Sequence, residues 1–264
     1  MLPIFDSHCH VYPDKIASRA AQSIAEFYDM PVRFDGTAST LLQEGTRAGI
    51  THYLIHSVSV MPAQVRSINE FIAAQVNEHP GVITGFGTLH PDSKDLDGDL
   101  QHLLSLGLKG VKIHPDFQKF AADSAKAVNL CRKLIGKLPV LVHAGDTRFH
   151  YSHPQQILNL KKKLPDLTVI AAHFGGWSCW DDAEKELPGL PNFYVDCSSS
   201  LYALSPEKAK HLFEVFGPEK VLFGTDYPMW SPSSEMELFS RVGLSPREQR
   251  RVLYENAAEL FPIE

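Results

Sequence analysis

A single (β/α)8 TIM barrel is the fold the sequence predicts, and three observations predict it. Short apolar runs alternate with amphipathic stretches eight times from end to end. The 264 residues match the roughly 250 that such a barrel typically needs. No glycine-rich dinucleotide turn follows the first run, as a doubly wound open sheet would favour; His8-Cys9-His10 stands there instead. The expected strands are 3–8, 51–57, 82–90, 110–114, 139–143, 168–173, 192–196 and 220–226.

Helical spacing fills the intervals. Val65, Ile68, Ile72 and Val76 form one stripe, and Leu96, Leu100, Leu103 and Leu104 another, with Gly107 as its stop. Ala209, Leu212, Phe213 and Phe216 form a third, opened by Ser205-Pro206 and closed by Gly217. Ser245-Pro246-Arg247-Glu248 is a capping-box start for the last helix. The longest excursion, 11–35, carries Ile16, Ala20, Ile24 and Phe27 at helical spacing, an extra helix over the barrel mouth or one packed on its rim. No internal repeat or domain boundary interrupts residues 1–264, so one domain is expected.

Composition excludes several classes. With 44% hydrophobic and 21% charged residues the chain is ordinarily globular, and a net charge of −6 gives no pull toward nucleic acid or an anionic membrane. No run of about 18 apolar residues is present, so no membrane span is expected. The first residues lack a basic region, so no secretory leader is expected either. Cys9, Cys131, Cys179 and Cys197 show neither disulfide nor zinc-knuckle spacing, which suits a reducing cytoplasm. A small-molecule substrate is the expected partner, and a lateral apolar helix face would allow a homodimer.

The chemistry lies at the strand ends, where barrels of this kind keep their active sites. His8 and His10, two apart on an extended strand, converge on one face as half of a transition-metal site. The later strands end in Ser57, His90, His114, His143, His173, Asp196 and Asp226. With only 13 histidines in the chain, chance explains such a concentration poorly, and a divalent ion, zinc above all, suits imidazole plus carboxylate donors. His90 reads as a barrel-core residue, and His52, His56, His79, His102 and His211 as structural or surface residues.

The motifs that carry these residues resemble the amidohydrolase superfamily. They are 5–10 (FDSHCH), 110–115 (GVKIHP), 142–145 (VHAG), 172–176 (AHFGG), 223–228 (FGTDYP) and 256–258 (NAA), in the expected order over nearly the whole chain. The branch they most resemble is amidohydrolase-2, which includes aminocarboxymuconate-semialdehyde decarboxylase, related aromatic-acid decarboxylases and lactone-type hydrolases. The resemblance implies that His8, His10, His143 and Asp226 ligate the metal, that His173 is the catalytic histidine, and that Asp226 doubles as proton shuttle. The chemistry agrees with that assignment. A divalent cation lowers the pKa of water to about 7, and a carboxylate beside it can take a proton and return it. Lys112 matches the lysine that bridges two metals in dinuclear members, whereas the decarboxylase-like branch generally works with one ion. One ion is the reading favoured here.

The weaker candidates follow from position. His114 shares a strand face with Lys112, and only one of the two can sit nearest the metal. Arg148, with His150 and His153, follows the fifth strand and could grip a substrate carboxylate, though a solvated loop arginine is the commoner fate. Trp177, Trp180 and Trp230 flank strand ends, as pocket walls or as rim packing, and Gly175-Gly176 permits close backbone approach. Asp6 is expected on the His8 face one layer deeper, as a ligand's partner or a buried, paired carboxylate. The function expected is hydrolysis of a small amide, lactone or cyclic acid by water activated at the cation. The alternative is non-oxidative decarboxylation of an aromatic or unsaturated acid. A barrel that only binds is disfavoured because the motif positions are intact. The deoxyribonuclease branch ranks low, because it carries glutamate where Lys112 stands and this chain is acidic.

Overall fold

The computed structural model describes residues 2–261. Eight parallel strands follow one another in chain order: β1 (Phe5–His10), β2 (His52–His56), β3 (Ile83–Thr88), β4 (Gly110–Ile113), β5 (Val140–Val142), β6 (Val169–Ala171), β7 (Phe193–Asp196) and β8 (Val221–Leu222). The helices are α1 (Asp14–Tyr28), α2 (Ala38–Arg47), α3 (Val65–Glu78), α4 (Leu96–Ser105), α5 (Pro115–Gln118), α6 (Ala125–Arg132), α7 (Pro154–Lys163), α8 (Trp180–Glu186), α9 (Pro206–Phe216), α10 (Pro232–Arg241), α11 (Pro246–Arg250) and α12 (Asn256–Leu260). This is the (β/α)8 barrel the alternation predicts.

The barrel closes where its first strand meets the chain after its last. Ser7 N–H donates to Phe223 O (2.8 Å), Asp226 N–H to His8 O (2.9 Å), and His10 N–H to Tyr227 O (2.7 Å). The seam therefore sets the two ends of the sequence side by side with their strand-end residues level.

Inside the cylinder Phe5, Leu54, Phe86, Leu141, Ile170 and Leu222 fill the lower layer, plugged by Ala257 and Phe261. Between sheet and helices lies the larger core. Simple alternation from Phe5 would turn His8 outward, because the two are three residues apart. A register shift between Asp6 and Cys9, three steps on β1 against two on β2, restores the inward direction. The expected Asp6–His8–His10 face is corrected by this bulge. Asp6 instead accepts from Thr225 N (2.9 Å) and Oγ1, at the seam.

The caps behave as expected. Ser205 Oγ accepts from Lys208 N (3.2 Å) to start α9, and Ser245 and Glu248 cap each other's backbone at α11. Asn256, from the NAA motif, donates to Pro218 O (2.7 Å) and Val221 O (2.8 Å) and so fixes the base of β8. The excursion does form a helix, α1, whose buried residues are Ala17, Ala21 and Ile24, while Ile16 is 52% exposed. The expected Ile16–Ala20 edge is thus not packed; it lines an open groove beside β2 and α3.

Candidate metal centre

His8 Nε2, His10 Nε2 and Asp226 Oδ1 form a triangle with sides of 3.3, 3.4 and 3.4 Å. Bonds of about 2.0–2.1 Å to a tetrahedral ion place donor atoms about 3.3–3.4 Å apart, so this triangle has the dimensions of one face of a zinc-type site. Asp226 sits at φ 58° and His173 at φ 60°, in the left-handed region that costs a non-glycine residue about 1–2 kcal/mol. Strain of this kind persists where surrounding contacts hold a side chain in a required direction.

The neighbours prepare the donor atoms. His8 Nδ1–H donates to Asp196 Oδ2 (2.9 Å), which leaves Nε2 unprotonated and facing the triangle. Lys112 Nζ donates to that same nitrogen (3.1 Å). Asp226 Oδ2 accepts from Ser199 Oγ, and Ser199 in turn accepts from Trp230 Nε1 (2.7 Å). His173 Nδ1–H donates to Ser198 O (3.0 Å), and its Nε2 pairs with His143 Nδ1, 3.2 Å away. Donor atoms of His8, His173 and Asp226 all lie within 4.8 Å of one another, and His143 enters the cluster through its contact with His173.

A second set, His114, Asp116 and His143, also has donor atoms within 4.8 Å. It cannot hold one ion, because the two imidazoles stack 3.9 Å apart and 7° from parallel. Imidazole lone pairs lie in the ring plane, and these two planes do not meet within bonding distance of the nitrogens. Tyr28, from α1, bridges this pair from above: its hydroxyl is 3.0 Å from His114 Nε2 and 3.5 Å from His143 Nε2.

Electrostatics favour the metal-binding forms. Burial, aided by Lys112 and offset by Asp196 and Asp226, pushes His8 down to about 4. Burial also lowers His10 and, with His173 and Lys112, His143, so these imidazoles are neutral at pH 7. Burial raises the Asp226 carboxyl, but His8, His10 and His173 reverse this and hold it well below the usual carboxylate range. Burial brings Lys112 down to about 8 against the pull of Asp196 and Asp226.

Residues 5–263 match the family model described as amidohydrolase. The chain belongs to the amidohydrolase family. No curated protein sequence matches it. Among solved structures it is similar to an uncharacterised TIM-barrel protein from Bordetella bronchiseptica (20% identity, 98% of each chain, TM-score 0.80). It is similar to a putative 2-pyrone-4,6-dicarboxylic acid hydrolase from Pseudomonas putida (20% identity, 100% of this chain and 99% of that one, TM-score 0.68). It is also similar to a dihydroxybenzoic acid decarboxylase from Polaromonas sp. JS666 with bound manganese and the inhibitor 2-nitroresorcinol (15% identity, 99% and 97%, TM-score 0.75).

In this amidohydrolase the inner cavity over the triangle is walled by Tyr28, Phe117, Trp177, Tyr202 and Trp230, with His10, His114, His143, His173 and Asp226 at its floor. Trp230 stacks on Tyr202 at 4.3 Å. Trp180 does not line the cavity; its Nε1 donates to His173 O (3.1 Å). Arg148 does not line it either. Asp146 takes its Nε (3.0 Å) and Nη2 (2.7 Å), and Nη1 donates to Phe27 O (2.7 Å), so the guanidinium anchors the end of α1. His150 and His153 stay outside, the latter facing Asp182 at 3.5 Å. Lys112 takes the layer next to His8, and His114 the rim above it. His90 accepts from Asp92 N (3.2 Å) and does not line the cavity. Gly175, at φ 74°, leaves room for Leu187, whose Cδ1 would lie 2.6 Å from an added Cβ; the close approach there is to a neighbouring side chain.

Sequence reasoning gave no specific role to three residues that lie at or against this cluster. Asp196 was one strand end among many, yet it orients His8. Tyr28 sits on a helix with no motif. His56, read as structural or surface, is fully buried against the rings of His8 and His10.

Proposed function

We propose that this amidohydrolase uses one divalent ion, zinc, held by His8, His10, His143 and Asp226, to hydrolyse a planar lactone, amide or cyclic acid bearing at most one acid group. The observation that carries this reading is the 3.3–3.4 Å donor triangle at the floor of an aromatic-walled cavity. A bound ion would supply Lewis-acid polarisation of the substrate and a more acidic water. Asp226 holds and returns a proton at Oδ2, where Ser199 positions it. His173, its Nδ1–H fixed on Ser198 O, orients the reacting group. Tyr28, Phe117, Trp177 and Tyr202 take the flat body of the substrate. Among the described residues no lysine or arginine lines the cavity, which argues against a second carboxylate. The four cysteines are buried and unpaired, which suits a cytoplasmic setting.

The same aromatic walls favour one second reading, decarboxylation of an aromatic monoacid, with Asp226 delivering the proton to carbon. Both are tested with a panel of aromatic and unsaturated monoacids, their amides and their lactones in labelled water. Hydrolysis places heavy oxygen from water in the product; decarboxylation releases carbon dioxide and places solvent deuterium on carbon. A metal-loaded protein that does neither across the panel contradicts the proposal.

A further inference from the structure

His56 ends β2 directly beside His10, its register partner on β1, and two residues beyond Leu54, which faces the barrel interior. The His56 ring is fully buried. It meets the His10 ring edge-on at 4.4 Å and 90°, and the His8 ring at 4.8 Å and 76°. One donor atom from each of His8, His10 and His56 lies within 4.8 Å of the other two. Among the described residues neither ring nitrogen of His56 has a hydrogen-bond partner.

We propose that His56 is a further nitrogen ligand of the ion held by His8, His10 and Asp226, so that this chain draws on β2 as well as β1, β5 and the end of β8. The inference rests on the metal-site reading above. Packing alone does not account for an imidazole here. A phenyl or isobutyl side chain would fill the same space without burying two polar nitrogens, each of which costs about 1–3 kcal/mol when left unpaired. Donor atoms on opposite sides of one ion are at most about 4.2 Å apart, so spacings up to 4.8 Å close with a small ring rotation. The ion gives one orphan nitrogen a partner, and a coordinated imidazole is the neutral form that burial already favours.

The test uses the full chain loaded with cobalt or zinc. Wild type, His56→Phe, His56→Gln and His8→Ala are compared by the visible cobalt spectrum and by zinc competition against a chromophoric chelator. Loss of one imidazole in either His56 variant is expected to change the cobalt bands and to weaken zinc at least tenfold, while one ion per chain still binds. An unchanged cobalt spectrum in folded His56→Phe overturns the inference, whatever the affinity. His8→Ala separates the two claims: if it binds zinc as wild type does, the metal-site reading itself fails. If neither His56 variant folds, diffraction at the zinc edge from wild-type crystals decides. A His56 nitrogen bonded to the anomalous peak supports the inference, and a His56 ring not bonded to it overturns it.

Discussion

Replacing Asp196 by Asn would test how the donor triangle is prepared, because the carboxylate serves four donors with two oxygens. Oδ2 accepts from His8 Nδ1 (2.9 Å). Oδ1 accepts from His173 N (3.1 Å), Ser198 N (3.1 Å) and Ser198 Oγ. Burial raises this carboxyl, but His8, His173 and Ser198 outweigh it and hold it well below the carboxylate range, so it is an anion throughout the working pH range. An asparagine keeps only one acceptor. With its oxygen left on the two backbone N–H groups, the amide NH2 faces His8 Nδ1, and the imidazole must shift its proton to Nε2. That proton then occupies the lone pair the triangle needs. Losing an orienting partner of this kind typically costs 10–100-fold in metal affinity, about 1.4–2.7 kcal/mol. Zinc competition with a chromophoric chelator at pH 7.5 (about, since His8 must stay neutral) measures it directly, with Asp196→Glu as the charge-preserving control. If Asp196→Asn binds zinc as tightly as wild type, the tautomer argument is wrong and His8 is not prepared by Asp196.

Three further outcomes are expected. Asp226→Asn removes both a donor to the triangle and the proposed proton carrier, so turnover on any substrate found should fall at least about 100-fold; turnover near the wild-type rate would remove Asp226 from the proton role. Tyr28→Phe keeps the cavity wall but removes the hydroxyl from His114 and His143, for a cost of about 0.5–1.5 kcal/mol, a two- to tenfold loss in kcat/KM with zinc affinity unchanged. Identical kinetics would make the hydroxyl irrelevant. Glu235 is buried with an unpartnered Oε2, and burial, reinforced by Asp226 and Asp6, pushes its carboxyl from 4.5 up to about 8. A raised folded value means the native state holds the proton longer. The contribution to stability is complete below pH 4.5 and is lost as pH climbs toward 8. Between pH 5 and 8 the metal-free wild type should lose about 4 kcal/mol relative to Glu235→Gln in urea unfolding. Parallel pH profiles for the two proteins would show that Glu235 is not held protonated.

Much of this architecture is legible in the linear chain because each barrel unit is local. The Ser205-Pro206 start, the Gly217 stop and the Ser245–Glu248 box need only neighbours in sequence, and all appear as helix ends in the fold. The convergence of His8, His10 and Asp226 was legible as well, since each ends an apolar run and a closed barrel brings all strand ends to one rim. The roles of Arg148 and Tyr28 were not. Both depend on how α1 lies over the mouth, and the excursion that forms it carries no turn or spacing rule to fix that docking. Arg148 looks free in sequence only because its carboxylate partner, Asp146, gives no signal two residues away.

The most instructive gap is His56, because it comes from a single residue of strand boundary. Drawing the second strand to Ser57 puts Ser57 at the rim. Strand side chains alternate, so that choice directs His56 to the opposite face. Ending the strand at His56 instead, level with His10 across the ladder, turns the same ring into the barrel beside the donor triangle. The β1 bulge works in the same way: without the extra residue between Asp6 and Cys9, Phe5 and His8 could not both face inward. Register thus decides which histidines meet, and it is set by ladder pairing across the barrel, to which local composition is blind. In parallel barrels the residues next to an expected strand end should be weighed together as candidate ligands, because a one-residue shift exchanges them.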